Sequence, residues 1–402
     1  MVKIPVFEVE QWMDEYELTP GVLNIAETCA CSVSISELSE LSSSSAGDSS
    51  QPASSIIDFS RPMTYGAILG SDELRRNIAG LYSEEGIDNA SVAPEDVIVT
   101  QGAIAANHLV FYSLVGPGDH AVCVYPTYQQ LYTIPETLGA EVSLWKLKAE
   151  DGYVPDVSEL EKLLKSNTKM IVINNPNNPT GATIPADILT KIIKIARERN
   201  IIVFSDEVYR PLFHGSPGPP SALSLGYEKV VVTSSMSKAW ALAGIRVGWA
   251  TSLDKDIIKR IAIARDYTAI SVSQLDDQVA RFALSDAVRP ALLKRNMELA
   301  QTNLALLDTF VQDHADVCSW VKPTAGTTAL VRFARGDGQP VDDVAFCKDV
   351  LDKTKVMFVP AGLCFGHERD FRGYVRIGYV SDTEVLRQAL KNLSAYVAEN
   401  LK

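Results

Sequence analysis

The sequence predicts an α/β protein with a mostly parallel sheet covered by helices on both faces, and three observations carry that prediction. Short runs at 97–100, 170–173, 201–204 and 230–233 are apolar at nearly every position. Such runs suit strands buried on both faces better than strands with one wet side. They alternate with helical periodicity: between the second and third runs, Ile188, Leu189, Ile192, Ile193, Ile195 and Ala196 share one helix face. Polar and glycine residues follow directly after each run, and in parallel sheets ligands sit beyond the carboxyl ends of the strands.

The composition supports a large core. The chain has 402 residues, 46% hydrophobic and 22% charged, with a net charge of −13. That acidic balance lacks the basic footprint of a nucleic-acid partner. No apolar run approaches a membrane span. The first residues carry Glu8, Glu10, Asp14 and Glu15 rather than the basic-then-apolar form of a signal peptide. Six cysteines are scattered without a Cys/His cluster, so neither a disulfide framework nor a metal site is expected. These features point to a cytoplasmic protein with reduced thiols.

In chain order, a helix is expected over 9–16, followed by the stretch Leu23-Asn24-Ile25-Ala26-Glu27-Thr28-Cys29-Ala30-Cys31. The serine-rich segment 39–55 reads as a mobile loop, either a plain connector or a lid beside a site. A helix follows at 72–82, then the strand at 97–100, Gln101-Gly102-Ala103, and an apolar helix to Leu114. Gly116-Pro117-Gly118-Asp119 is a turn. A strand at 120–125 and a helix at 128–138 precede the apolar strands near 170, 201 and 230. Beyond about residue 290 the alternation loosens into a long helix at 292–310, strand-like segments at 327–333, 357–360 and 374–378, and an amphipathic helix at 383–401. The expected division is an N-terminal arm, 1–55, packing with the small domain; a large domain, 56–290; and a small α+β domain, 291–402.

The chemistry centres on residues 234–248, where Lys238 lies just past a buried strand with Ser235 before it and Arg246 eight residues after. Lysine forms Schiff bases as the neutral amine, and burial or a nearby cation lowers its pKa toward that form. A hydroxyl and a guanidinium suit a phosphate. Gly102 and Ala103 open a helix whose free N–H groups suit an anion, and Tyr128 could stack on a flat ring. Asn174 to Gly181 and Asp206 to Tyr209 supply amide, carboxylate and phenol groups. Taken singly, Asn-Pro and Thr-Gly are turn formers, Asp206 could be an N-cap, and Gly102 a tight turn. Together they suit pyridoxal phosphate, an aldehyde that carries a phosphate.

The motifs Tyr65 to Gly70 with Leu74-Arg75, Gly102-Ala103, Pro126-Thr127-Tyr128, Asn175-Pro176-Asn177-Asn178-Pro179-Thr180-Gly181, Asp206-Glu207-Val208-Tyr209, Ser235-Met236-Ser237-Lys238, Gly244-Ile245-Arg246-Val247-Gly248 and Val375-Arg376-Ile377 span most of the chain. In that order they resemble the class I/II aminotransferases, pyridoxal-phosphate enzymes of fold type I. The resemblance implies that Lys238 forms the Schiff base and moves the Cα proton. It implies that Asp206 pairs with the pyridine nitrogen, that Tyr209 and Asn178 bond the ring oxygen, and that Tyr128 stacks on the ring. Gly102, Ala103, Ser235 and Arg246 would hold the phosphate, together with Tyr65 from the neighbouring subunit of a homodimer. Arg376 would bind the substrate α-carboxylate, with Asn178 beside it. The implied reaction is amino transfer between an α-amino acid and a 2-oxo acid. The segment around Glu27 is similar to a divergent subgroup that includes capreomycidine synthase and pyridoxal-dependent arginine oxidases. The same residues would therefore also serve cyclisation, elimination or replacement, or oxidation of an amino acid. Glu27 is either a surface or capping residue or a partner for a basic side chain. No second arginine is assigned to a dicarboxylate, Arg265 being only a candidate, so aspartate is not the expected substrate.

Overall fold

A computed structural model describes residues 4–43, 56–83, 92–215, 218–366 and 370–402. The chain opens with helix α1 (Glu8–Tyr16), the two-residue strand β1 (Leu23–Asn24) and helix α2 (Ile35–Ser43). Helix α2 corrects part of the expected serine-rich loop: Ser39 and Ser42 are buried, and the Ser42 hydroxyl donates to the Ser39 carbonyl at 2.7 Å. The capping pair explains why it forms, since Ser34 accepts from the Glu37 N–H and Glu37 accepts from the Ser34 N–H. The rest of that expected loop or lid, 44–55, lies outside the described residues.

Helix α3 (Asp72–Ser83) leads into β2 (Val97–Thr100), α4 (Gly102–Leu114), β3 (His120–Tyr125), α5 (Gln130–Thr137), β4 (Glu141–Lys146), α6 (Val157–Leu163), β5 (Thr168–Asn174), α7 (Ala186–Arg199), β6 (Ile202–Asp206), β7 (Val230–Ser235) and β8 (Gly248–Ser252). Strands β2 to β8 form one seven-stranded sheet in the order β2-β8-β7-β6-β5-β3-β4. The pairs among β3 to β7 are parallel, and β8 runs antiparallel to both β2 and β7. Alternate residues of the strands enter two separate cores, one on each face. Ile171, Ile173, Val203, Val230 and Val232 join one core, while Met170, Val172, Phe204 and Val231 join the other. Each buried aliphatic side chain contributes about 1.5–3 kcal/mol relative to exposure, so uniformly apolar strands are what a doubly covered sheet demands.

Two further helices, α8 (Lys255–Asp266) and α9 (Gln274–Ala283), follow the sheet. Asp254 and Ser273 cap them by accepting from the second and third helical N–H groups. The long α10 (Arg289–Asp313) then leads to β9 (Cys318–Trp320), β10 (Thr328–Phe333), α11 (Asp343–Thr354), β11 (Val356–Met357), β12 (Val359–Pro360), α12 (Ala361–Phe365), β13 (Tyr374–Gly378) and α13 (Thr383–Asn400). Strands β12, β13, β10 and β9 form an antiparallel sheet, while β11 pairs in parallel with β1 at the opposite end of the sequence. Beyond that pairing, the Ala30 and Val33 N–H groups donate to the Lys238 and Ala241 carbonyls, which ties the N-terminal segment to the chain just past β7. Among the described residues, no helix is long and apolar enough to cross a membrane.

Candidate active site

A cavity of about 380 Å³ opens where β5, β6 and β7 end, and its walls include Ala103, Tyr128, Asn178, Asp206, Tyr209, Ser235, Lys238, Arg246 and Arg376. Glu27, Thr28 and Cys29 close one side, and Val9, Glu10 and Met13 of α1 close another. Lys238 sits in the middle. Its Nζ donates to Thr28 Oγ1 at 2.6 Å and Cys29 Sγ at 3.4 Å, and lies 3.9 Å from Glu27 Oε1. Burial pushes its pKa down, but Cys29, Tyr209 and Glu27 together push it up by more, and the net direction is upward. This corrects the expectation of a neutral amine: in the structure, the acidic neighbours outweigh burial.

Asp206 is the last residue of β6. Its Oδ2 accepts from Asn107 Nδ2 at 3.0 Å, and its Oδ1 accepts from the Val208 N–H at 3.2 Å. Burial raises its pKa to about 6 despite those donors and Lys238. Asn107 is itself held, accepting from Thr233 Oγ1 at 2.6 Å and donating to Gln130 Oε1 at 3.2 Å. The sequence reading passed over Asn107. The available signal was a lone amide in the middle of the apolar helix Gly102–Leu114.

At one end of the cavity, α4 begins at Gly102, whose φ is +78°. A Cβ at Gly102 would lie 2.8 Å from Arg246 Nη2, so the two are in intimate contact. Gly248 presses on the same turn from β8, and a Cβ there would lie 2.8 Å from Gly102 Cα. Ser235 Oγ accepts from the Ser237 N–H at 3.2 Å, and Arg246 donates to Ser237 Oγ at 3.4 Å and to the Ala243 carbonyl at 3.0 Å. Helix N–H groups, two hydroxyls and a guanidinium therefore gather at one point, a donor set suited to a phosphate. Ser237 is an addition to the residues read from the sequence.

At the other end, Arg376 is buried over the Phe365 ring, 5.4 Å from its centroid. It donates to the Ala26 carbonyl at 2.9 Å and to Asn178 Oδ1 at 3.4 Å, leaving Nε without a partner. The Asn178 backbone N–H donates to Asn174 Oδ1 at 2.7 Å. Tyr209 is fully buried, and burial raises its pKa, opposed by Lys238, Arg376 and a hydrogen bond with Thr28. The Tyr128 ring lies 5.0 Å from Phe7, and its hydroxyl donates to Glu10 at 2.8 Å, so the arm braces it.

Glu27 lines the cavity half-buried. Burial would raise its pKa, but Lys238 and the donors at Cys29 and Thr28 hold it down at about 2. Two expected residues lie apart. Tyr65 is exposed, with 80% of its surface accessible, and does not line the cavity of its own chain. Arg265 is buried outside the cavity, where it donates to the Ile270 carbonyl.

An amine, a carboxylate and a phosphate-type donor cradle in one cavity suit pyridoxal phosphate. Residues 44–393 match the family model described as aminotransferase class I and II. The chain belongs to that family. This aminotransferase is 27% identical over 332 residues to capreomycidine synthase of Streptomyces vinaceus, covering 82% of the chain and 79% of the relative. It is 28% identical over 325 residues to an aspartate aminotransferase of Pyrococcus horikoshii, covering 81% and 80%. A crystal structure of a PLP-dependent aminotransferase from Streptococcus suis superposes with a TM-score of 0.89 at 36% identity, covering 100% of this chain and 99% of that one. The aminotransferase depends on pyridoxal 5'-phosphate, and the donors at Ser235 and Arg246 with the acceptor at Asp206 fit that group.

Proposed function

We propose that this aminotransferase exchanges the amino group of an α-amino acid for the oxygen of a 2-oxo acid, using Lys238 as the amine that holds the cofactor and moves the proton at the substrate Cα. The observation that carries this reading is the common cavity of Lys238, Asp206 and Arg376, with Arg246 at its far end. Bound pyridoxal phosphate supplies an aldehyde for amines and a ring that accepts the electron pair left at Cα. The chain supplies the rest. Gly102, Ala103, Ser235 and Arg246 bind the phosphate. Asp206, kept in place by Asn107, pairs with a protonated ring nitrogen, and Tyr209 and Asn178 address the ring oxygen. Tyr128 covers the ring face. Arg376, with an unpartnered Nε, accepts the substrate carboxylate. Glu27, ionised and facing the cavity, meets the substrate side chain and favours a cationic one.

The reading extends to assembly. Exposed Phe59, Met63, Tyr65 and Ile68 form an apolar edge that suits a homodimer, in which Tyr65 reaches the partner's phosphate site. The reading also divides the chain into an arm, 1–55, a large domain, 56–290, and a small domain, 291–402, and places the protein in the cytoplasm. Borohydride treatment followed by peptide mapping should fix a pyridoxyl group on Lys238. Incubation with a panel of amino acids, with and without 2-oxo acids, should give a new amino acid only when the oxo acid is present. An adduct on another lysine, or a cyclised, eliminated or oxidised product formed without the oxo acid, would overturn the reading. Light scattering at assay concentration should give twice the chain mass.

A further inference from the structure

We propose that a second cavity, behind the turn that carries Asp206 and Tyr209, binds a flat aromatic carboxylate and acts on the cofactor site from outside it. The proposal goes beyond amino transfer and does not depend on which amino acid that reaction takes.

The second cavity holds about 330 Å³, close to the 380 Å³ of the active-site cavity, and shares no lining residue with it. It lies where α3, the ends of β6 and β7, strand β8 and the first turn of α10 meet. Small-molecule sites have this size and a mostly apolar lining with a few convergent polar groups. One side is aromatic, built from Tyr82, Trp240 and Trp249. Trp249 Nε1 donates to the Tyr82 hydroxyl at 2.8 Å, which fixes both rings. Such a wall suits a flat apolar ring. Pro290 in the wall is exposed, so the cavity opens to solvent.

The other side is cationic. Arg210 and Arg289 line it with side chains only 10% and 14% exposed. Glu207 Oε2 pairs with Arg210 Nε at 3.3 Å and offsets one charge. Asp286 pairs with Arg289 at 3.2 Å but is 98% exposed, so water screens that pair. Helix α10 adds to the excess. This 25-residue helix begins at Arg289, with no acidic residue in its first turn and, among the described residues, no side-chain cap. The N-terminal end of a helix is itself positive, so a cation there is electrostatically misplaced until an anion joins it. A carboxylate answers both features, because it accepts two parallel bonds from a guanidinium fork.

The cavity reaches the cofactor site through shared backbone. Ser234, Glu207 and Arg210 line it, whereas their chain neighbours Ser235, Asp206 and Tyr209 line the active site. Trp240 stands two residues beyond Lys238. The Glu207 carboxylate is tied down, accepting from Ser205 Oγ at 3.0 Å and the Ala222 N–H at 2.9 Å. An occupant that draws on Arg210 therefore shifts the Tyr209 end of the turn, and by linkage the cofactor site acts back on the occupant.

The test titrates 2-naphthoate into the holoenzyme by calorimetry. We expect one molecule bound per chain, with the neutral 2-naphthamide at least about tenfold weaker for want of the charged contact. Arg289→Gln should weaken naphthoate by about tenfold or more, and Leu293→Trp, which puts a larger side chain into the cavity, should abolish binding. Arg376→Ala should leave the naphthoate affinity unchanged. The visible absorbance of the bound cofactor should change with the same midpoint as the heat, and no longer do so in Leu293→Trp. Circular dichroism checks each fold, and should Leu293→Trp not fold, Arg289→Gln decides alone. No binding, binding that survives Arg289→Gln and Leu293→Trp, or binding lost in Arg376→Ala would overturn the second site. Heat without a change in the cofactor spectrum would overturn its action on the active site.

Discussion

Asn107→Leu removes an amide from the middle of a buried network while keeping the number and branching of the side-chain heavy atoms. Asn107 donates to Asp206 Oδ2 and Gln130 Oε1 and accepts from Thr233 Oγ1. The bond to the carboxylate is of the charged class, worth about 1.5–3 kcal/mol, equivalent to about one to two pK units. Asp206 already stands at about 6, so the variant places it near or above neutrality. A carboxyl that stays protonated no longer keeps a ring nitrogen protonated, and kcat should fall at least tenfold, each factor of ten corresponding to about 1.4 kcal/mol. KM for the amino acid should change little, because the Arg376 end is untouched. The Thr233 hydroxyl and Gln130 oxygen are left without this partner, at about 1–3 kcal/mol each. For a chain of this length, that lowers Tm by about 2–6 °C. Steady-state kinetics from pH 6 to 9 with scanning calorimetry would check both. A variant with unaltered kcat and pH profile would show that Asn107 does not govern the Asp206 charge.

Gly248→Ala should drive a methyl into the Gly102–Ala103 turn; overpacking of this kind costs about 1–3 kcal/mol, so cofactor titrated by absorbance should bind about 10- to 100-fold more weakly. Arg376→Lys keeps the charge but loses the two-pronged fork, and should raise KM for the amino acid well above any change in kcat, since the contact is made before and during the reaction. His214 titrates at about 4 because burial disfavours its cation. Its folded pKa lies below the unfolded value, so the stability it contributes is complete above pH 6.5 and is lost as pH falls through about 4. Urea unfolding of His214→Phe should therefore depend less on pH between 6.5 and 4 than the unaltered chain. Asp206 acts oppositely, its raised pKa removing stability as pH rises from about 4 to about 6, and comparison with Asp206→Asn separates the two.

The sheet was legible because its strands are buried on both sides, which leaves an unbroken apolar run in the sequence. Strand β8 was not, since Gly-Trp-Ala-Thr-Ser carries too little apolar pattern and owes its place to pairing on both edges. Helices α8 and α9 lie in a stretch that the strand-and-helix alternation leaves unassigned, although the caps Asp254 and Ser273 and the stripe Ile257, Ile258, Ile261 and Ala264 announce them. Short residues after strands made Asp206, Ser235 and Lys238 readable, because the end of a parallel strand fixes where the next side chain must be. Thr28 and Asn107 depend on contacts across 210 and 99 residues of sequence, and no local pattern encodes such distances. Lys238 shows the same limit: its sequence neighbours suggest a lowered pKa, but the arm brings in Glu27 and Cys29 and reverses the direction.

The parallel pairing of β1 with β11, and the packing of Gly378 on Glu27, also bear on the order in which the ribosome delivers the parts. Lys238 emerges long before Gly378. At about 5–20 residues per second, the intervening stretch takes about 7–28 s to synthesise. During that interval a nascent large sheet can already exist, but the Glu27-Thr28-Cys29 turn has nothing to close against, and the cavity lacks Arg376. Stable capture of the cofactor is thus a late event in the life of each molecule, and the last strand to be made acts as its timer.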